Sequence, residues 1–156
     1  MAKCKTIGID DYIEGITKIS TQIAAVQGRT IYEGAKVLAD AIRSEINAIP
    51  NKSGSAPFTG LLESQKKGLQ DGLGIANAET KDGLRNVKIG FEGYNELKTK
   101  KYPNGEPNAL IARSIAKGTS WQKKNNFVQK ACKKAKGKVE STMKDTFDKE
   151  FAKINK

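Results

Sequence analysis

Seven residues, Phe127, Ala131, Ala135, Val139, Met143, Phe147 and Phe151, recur at an unbroken spacing of four. A helix brings residues four apart onto one side, one turn above the other. Four residues advance an ideal helix by about 400°, so the stripe drifts by roughly 40° at each step. It therefore winds around its helix rather than running straight. Val128, Cys132 and Ile154 widen it. The pattern predicts a long C-terminal helix over 125–154, packed on the domain at one end and on a neighbour at the other.

Upstream, Ile31, Ala35, Leu38, Ile42 and Ile46 form a second apolar stripe from about Gln27 to Ala48. Before it, Asp10 and Asp11 can cap a helix that carries Ile13, Ile16 and Ile19, extended by Ile23 and Val26. The helical region is 10–48, with Gly28 as a plausible break; whether it holds one helix or two stays open. Pro50 forbids continuation. Residues 50–60, rich in Ser, Gly and Pro, read as an exposed loop. Leu61, Leu62 and Leu69 belong to a short helix or an irregular strand. In 73–91, Ile75–Ala78 and Leu84–Phe91 flank Lys81-Asp82-Gly83, and Val87, Ile89 and Phe91 alternate with polar residues or glycine. This is the pattern of a β-hairpin with an Asp-Gly turn. Residues 94–106 are a polar loop, and 107–117 a short helix ended by Gly118.

A chain of 156 residues is one ordinary domain. It contains no histidine, which removes Ser-His-Asp and Cys-His catalysis and histidine-ligated metal sites. Met1–Asp10 has no apolar core of the secretory type. Uncharged stretches such as Ile19–Gly28 are about half the ~20 residues of a membrane span, so no membrane partner is expected. Cys4 and Cys132 form no CxxC pair and suggest a reducing compartment without a disulfide framework. The Asn51-Lys52-Ser53 sequon has no secretory context.

The net charge is +11, and it is unevenly spread: Lys117–Lys156 holds twelve lysines against four acids. Lys123, Lys124, Lys130, Lys133, Lys134, Lys136 and Lys138 stand together with no acid among them. They can meet phosphates or an acidic protein surface, or simply be a solvated face. Lysines outnumber arginines 24 to 4, and arginine is the usual reader of base edges. Trp121 and Phe127 flank the cluster without the interleaving of a stacking surface. No catalytic, cofactor or metal constellation emerges. Asp10-Asp11 reads as a cap. Glu92, Glu96 and Glu106 fit no EF-hand spacing. Gly68, Gly72 and Gly74 make neither a dinucleotide fingerprint nor a P-loop. Gly15 and Gly34 read as close-packing sites, and Cys132 as a packing residue.

Several segments together resemble a family. Val87-Lys88-Ile89-Gly90 closes a strand. Pro107–Ser120 then matches a P-N-x-L-x-A segment ending in Gly-Thr-Ser, and Gln122–Ala131 leads into the last helix. Upstream, Glu33–Arg43 and Thr59–Ser64 match a helix and a Thr-Gly-x-Leu-type segment. The pattern, covering about residues 10–152, resembles the tail-component family of long-tailed phages and prophages of Gram-positive hosts: neck or tail-completion proteins of head–tail joining. Lys117 departs from a commonly acidic position, and Asn126 from a proline.

The resemblance implies an α+β fold, with a long N-terminal and a long C-terminal helix packed on a small, mostly antiparallel sheet. It implies a structural virion protein, not an enzyme, located in the neck or head-proximal tail and in the host cytoplasm during assembly. Its partners would be connector or adaptor, head-completion and tail-terminator proteins. Its own copies would form a six-fold ring from a subunit that can be monomeric in solution. The interface candidates are Pro107, Asn108, Leu110, Ile111 and Ile115, with Gly118, Thr119, Ser120, Trp121 and Phe127. The seven clustered lysines are candidates for contact with packaged DNA in the ring lumen or with an acidic partner. The alternative is a small basic nucleic-acid-binding protein. A nuclease or cell-wall hydrolase is disfavoured, because no carboxylate pair stands out.

Overall fold

The computed structural model describes residues 9–154, with side chains described from residue 13. Cys4 and the leader reading of Met1–Asp10 lie outside the described residues, and so do the side chains of Asp10 and Asp11. Helix α1 (Ile9–Asn47) is 39 residues long, about 58 Å at 1.5 Å per residue. It runs unbroken through Gly28. A helical glycine costs only about 1 kcal/mol relative to alanine, and the helix packs against the rest of the chain beyond it. The Arg85 guanidinium lies where it would meet a side chain at 28, with Nη1 3.2 Å from a Cβ placed there. The helix stops three residues short of Pro50; a tightened last turn joins the Ile49 N–H to the Ile46 carbonyl.

Helix α4 (Phe127–Ile154) lies antiparallel along α1, the most extensive contact between elements. Three pairings fix the direction. Lys134 meets Glu45, Met143 meets Gly34, and Glu150 meets Arg29. A Cβ on Gly34 would come within 2.6 Å of Met143 Cγ, so the missing side chain sets how closely the helices approach. Gly15 has open space around it and is not a packing site. The expected drift of the α4 stripe is visible in its burial. Phe127, Ala131 and Ala135 are buried, Val139 and Met143 half-buried, and Phe147 and Phe151 just over one-third exposed. The two phenylalanine rings stack on each other at 5.6 Å. Cys132 is exposed rather than packed, because it sits about 100° round the helix from buried Ala131.

Between the long helices come α2 (Glu63–Asp71), β1 (Leu73–Ile75), β2 (Glu79–Lys81), β3 (Leu84–Asn86), β4 (Ile89–Phe91) and α3 (Asn108–Lys117). The segment at Leu61–Leu69 is thus a helix. At its start the Gln65 side chain accepts the Leu62 N–H, one half of a capping box. The expected hairpin forms, but as two two-stranded antiparallel sheets, β1–β4 and β2–β3, rather than one. Ile75 pairs Ile89 and Glu79 pairs Asn86, so three residues on one arm oppose two on the other. That extra residue is a bulge, and it splits the ladder. Asp82 and Gly83 both have positive φ, 53° and 77°, as a type I′ turn requires.

The core gathers Ile42 and Ile46 of α1, Leu61, Leu69, Leu73, Ile111 and Ile115 of α3, and Phe127. Phe91 of β4 meets the Phe127 ring at 6.1 Å, tilted by 58°. The fold is therefore α+β, with both long helices against small antiparallel sheets.

Candidate assembly surface

The segment after α3 is built by one glycine and one threonine. Gly118 has φ 77°, and a Cβ there would press on the Lys124 backbone N at 3.1 Å. Only glycine turns the chain here without strain. The Thr119 hydroxyl then accepts the N–H groups of Trp121 and Gln122, at 3.2 and 3.0 Å. The Thr119 N–H donates to the Gln122 carbonyl at 2.8 Å. A second loop locks onto this turn. Phe58 donates its N–H to the Trp121 carbonyl at 2.7 Å and accepts the Lys123 N–H at 2.8 Å.

The 50–60 loop is held in its turn at Gly60, where a Cβ would lie 2.4 Å from the Asn51 carbonyl oxygen. The Lys52 ammonium stands 3.7 Å from the Phe58 ring centre, a cation–π contact. Two loops distant in sequence thus form one surface corner.

Trp121 crowns that corner with 70% of its surface exposed. Beside it a cavity of about 310 Å³ is lined by Phe58, Leu61, Ile115, Trp121 and Gln122, and rimmed by Lys52 and Glu106. The Gln122 Nε2 is buried without a hydrogen-bond partner. A rigidly held backbone carrying an exposed tryptophan is the kind of anchor that protein interfaces use.

The interface candidates divide here. Thr119, Ser120 and Trp121 are exposed, while Pro107, Leu110 and Gly118 are half-buried. Asn108, Ile111, Ile115 and Phe127 are buried inside the chain. The last four hold the fold and offer no surface to another subunit in this conformation.

Asn108 donates through Nδ2 to the Glu92 carbonyl at 2.8 Å, and its N–H donates to the Gly93 carbonyl. Its side chain fits a notch on α2, where Cβ atoms on Gly68 and Gly72 would come 2.7 and 2.6 Å from its amide atoms. Two glycines four apart on a helix make such a notch. In the sequence these glycines match no phosphate-binding pattern, and in the fold they seat an asparagine. Asn95, which no sequence motif marks, is the neighbouring post. Its Oδ1 accepts the N–H groups of Leu97 and Glu106, at 3.0 and 3.1 Å. Residues 94–106, expected as a polar loop, are pinned by these bonds. An Asn two residues before the N–H it accepts is the local signal that points to such a turn.

All seven lysines are exposed, but they do not form one face. On α4, Lys130 to Lys138 spread over an arc of about 200°. Lys134 is directed at the α1 seam, 2.5 Å from Glu45, and Lys136 lies 3.9 Å from Glu140. Lys123 and Lys124 are in the loop next to Trp121. Among the described residues no helix is long and apolar enough to cross a membrane, and no three His, Cys, Asp or Glu side chains gather as metal ligands.

What the geometry defines is an α+β fold with a long two-helix seam and an aromatic, lysine-flanked corner. No family model, curated protein or solved structure gives a significant match to this chain.

Proposed function

We propose that the chain is a structural virion protein of a long-tailed phage. It acts in tail completion and head–tail joining as a subunit of a neck or tail ring, and it is not an enzyme. The observation that carries this reading is the Trp121 corner: a tryptophan left 70% exposed on a turn that hydrogen bonds hold rigid. A large apolar side chain kept out of its own core and fixed in place is suited to a partner's pocket. Its neighbours would be connector, head-completion or tail-terminator proteins. A closed ring of six copies would use two different patches per subunit. The test is electron microscopy of a phage lysate in which the gene is disrupted. Accumulation of filled heads and unjoined tails, or of tails of aberrant length, is expected. Normal infectious virions would overturn the reading.

A second reading has its own observation. Lys123, Lys124 and Lys133 are exposed and make no ion pair among the described residues. They are available to phosphate groups, either in a ring lumen or in a free nucleic-acid complex. DNA binding by the purified chain that weakens steeply with salt would favour it.

A further inference from the structure

The cavity beside Trp121 carries a cation that is already held in place. Leu61, Ile111 and Ile115, all buried, line its 310 Å³ with aliphatic surface. That is the small end of ligand pockets, room for one large side chain rather than for a cofactor. Phe58 and Trp121 add aromatic walls. Lys52 lies on the rim and is exposed, yet its ammonium stands 3.7 Å from the centre of the Phe58 ring. The ring face holds that charge, and Phe58 is itself tied by its backbone to Trp121 and Lys123. Among the described residues the Lys52 ammonium has no carboxylate within ion-pair reach. Its position is therefore set before a partner arrives, which lowers the ordering cost of binding. The surrounding charge is one-sided. Lys117, Lys123 and Lys124 lie within four residues of Trp121, all exposed and none in an ion pair among the described residues. Glu106 is the one carboxylate on the rim.

We propose that this corner docks an acidic peptide segment of a partner protein: a large apolar side chain fills the cavity against Trp121 and Phe58, and a carboxylate beside it in sequence accepts from the Lys52 ammonium. Two features choose that occupant. The aliphatic floor takes an apolar group and gives the polar edge of a nucleobase nothing to pair with, so a nucleic acid would be held at the rim by the lysines alone. The rim charge, four lysines against Glu106, attracts a segment with carboxylates and repels a basic one. An apolar anchor flanked by acidic residues satisfies floor and rim together, with the anchor paired to an exposed tryptophan as interface hot spots are. The proposal rests on reading the corner as an assembly anchor, but it is tested on the purified chain. Joined virions without the gene would defeat the neck-ring reading and leave the docking site standing; a chain that binds no such segment would defeat the docking site and leave the virion result standing.

Trp121 is the chain's single tryptophan, so tryptophan fluorescence reports this corner and nothing else. The full chain is titrated with synthetic peptides in which one leucine, or one phenylalanine, is flanked on both sides by glutamates. Two control peptides carry glycine in place of the apolar residue or lysines in place of the glutamates. A saturating blue shift of the Trp121 emission is expected with an acidic peptide, as the ring loses its water, and none with either control. Lys52→Glu should weaken the acidic peptide by about three- to tenfold and admit the lysine-flanked one instead. Lys52→Gln, which removes the charge without reversing it, should fall between. Lys149→Glu makes the same change in net charge near the far end of α4 and should leave the affinity unchanged. An emission unmoved by both acidic peptides, equal binding of the glycine control, or an affinity lowered alike by Lys52→Glu and Lys149→Glu overturns the proposal. So does a single-stranded DNA oligonucleotide that shifts the emission at lower concentration than either peptide, which would make the corner a nucleic-acid site.

Discussion

Gly60 and Gly15 show how differently one residue type is used within a single chain. A Cβ on Gly60 would strike two backbone carbonyls, those of Asn51 and Pro50, at 2.4 and 2.5 Å, and backbone atoms cannot rotate away. Gly60→Ala is expected to cost about 1–3 kcal/mol, as overpacking does, measured as a lower urea midpoint. Gly15→Ala sits in a helix with nothing near the new methyl group. It should stabilise by about 0.5–1 kcal/mol, and a loss of stability there would show that the first turns of α1 are not helical. Trp121→Ala removes an exposed ring and should change stability by no more than about 0.5 kcal/mol. Asn108→Ala should cost about 1–3 kcal/mol, because the Glu92 carbonyl then loses its donor inside the α2 notch.

Among elements, the α1–α4 pair carries a charge tie whose pH dependence can be worked out. The Glu150 carboxyl is held below the ordinary glutamate range, first by the hydrogen bond from Lys153 and then by that from Arg29. The folded chain therefore takes up this proton less readily than the unfolded chain. The stabilisation is complete above the ordinary glutamate value and is lost as pH falls through the lowered one. Melting temperatures of the parent and Glu150→Gln chains should differ at pH 7 and converge toward pH 3. A gap that stayed constant would assign the difference to packing.

The helices themselves were legible because each buries an apolar stripe at helical spacing. The last was expected over 125–154 and runs Phe127–Ile154. The Asp82-Gly83 turn was legible because positive φ at both positions leaves few residue choices. Three features were not. The continuity of α1 through Gly28 depends on tertiary packing that outweighs a local penalty. The split sheet depends on a single extra residue at 76–78, which no hydrophobic pattern marks. The burial of Asn108, Ile111, Ile115 and Phe127, offered as interface residues, was hidden because an apolar position reads the same whether its cover is its own chain or another. Trp121 was legible as a residue but not as a corner, since the loop at Phe58 that fixes it lies over sixty residues away.

For the whole molecule, the two functional readings place their weight on neighbouring but separable features. The assembly reading rests on Trp121, and the nucleic-acid reading on the unpaired Lys123 and Lys124 in the loop beside it and Lys133 on α4. Reversing Lys123, Lys124 and Lys133 to Glu lowers the net charge from +11 to +5. It breaks no ion pair found in the fold, so the circular dichroism spectrum should not change. If these lysines meet DNA, each lost phosphate contact reduces the slope of log affinity against log salt by about 0.9. The three-lysine variant should then bind more weakly and with a visibly flatter slope. If the corner instead docks on a protein neighbour through its tryptophan, Trp121→Ala will fail to restore joined virions to a phage lacking the gene. DNA affinity would in that case be unchanged. Complementing one disrupted phage with each variant, beside a salt titration of each purified chain, separates the readings, because neither substitution touches the core that both share.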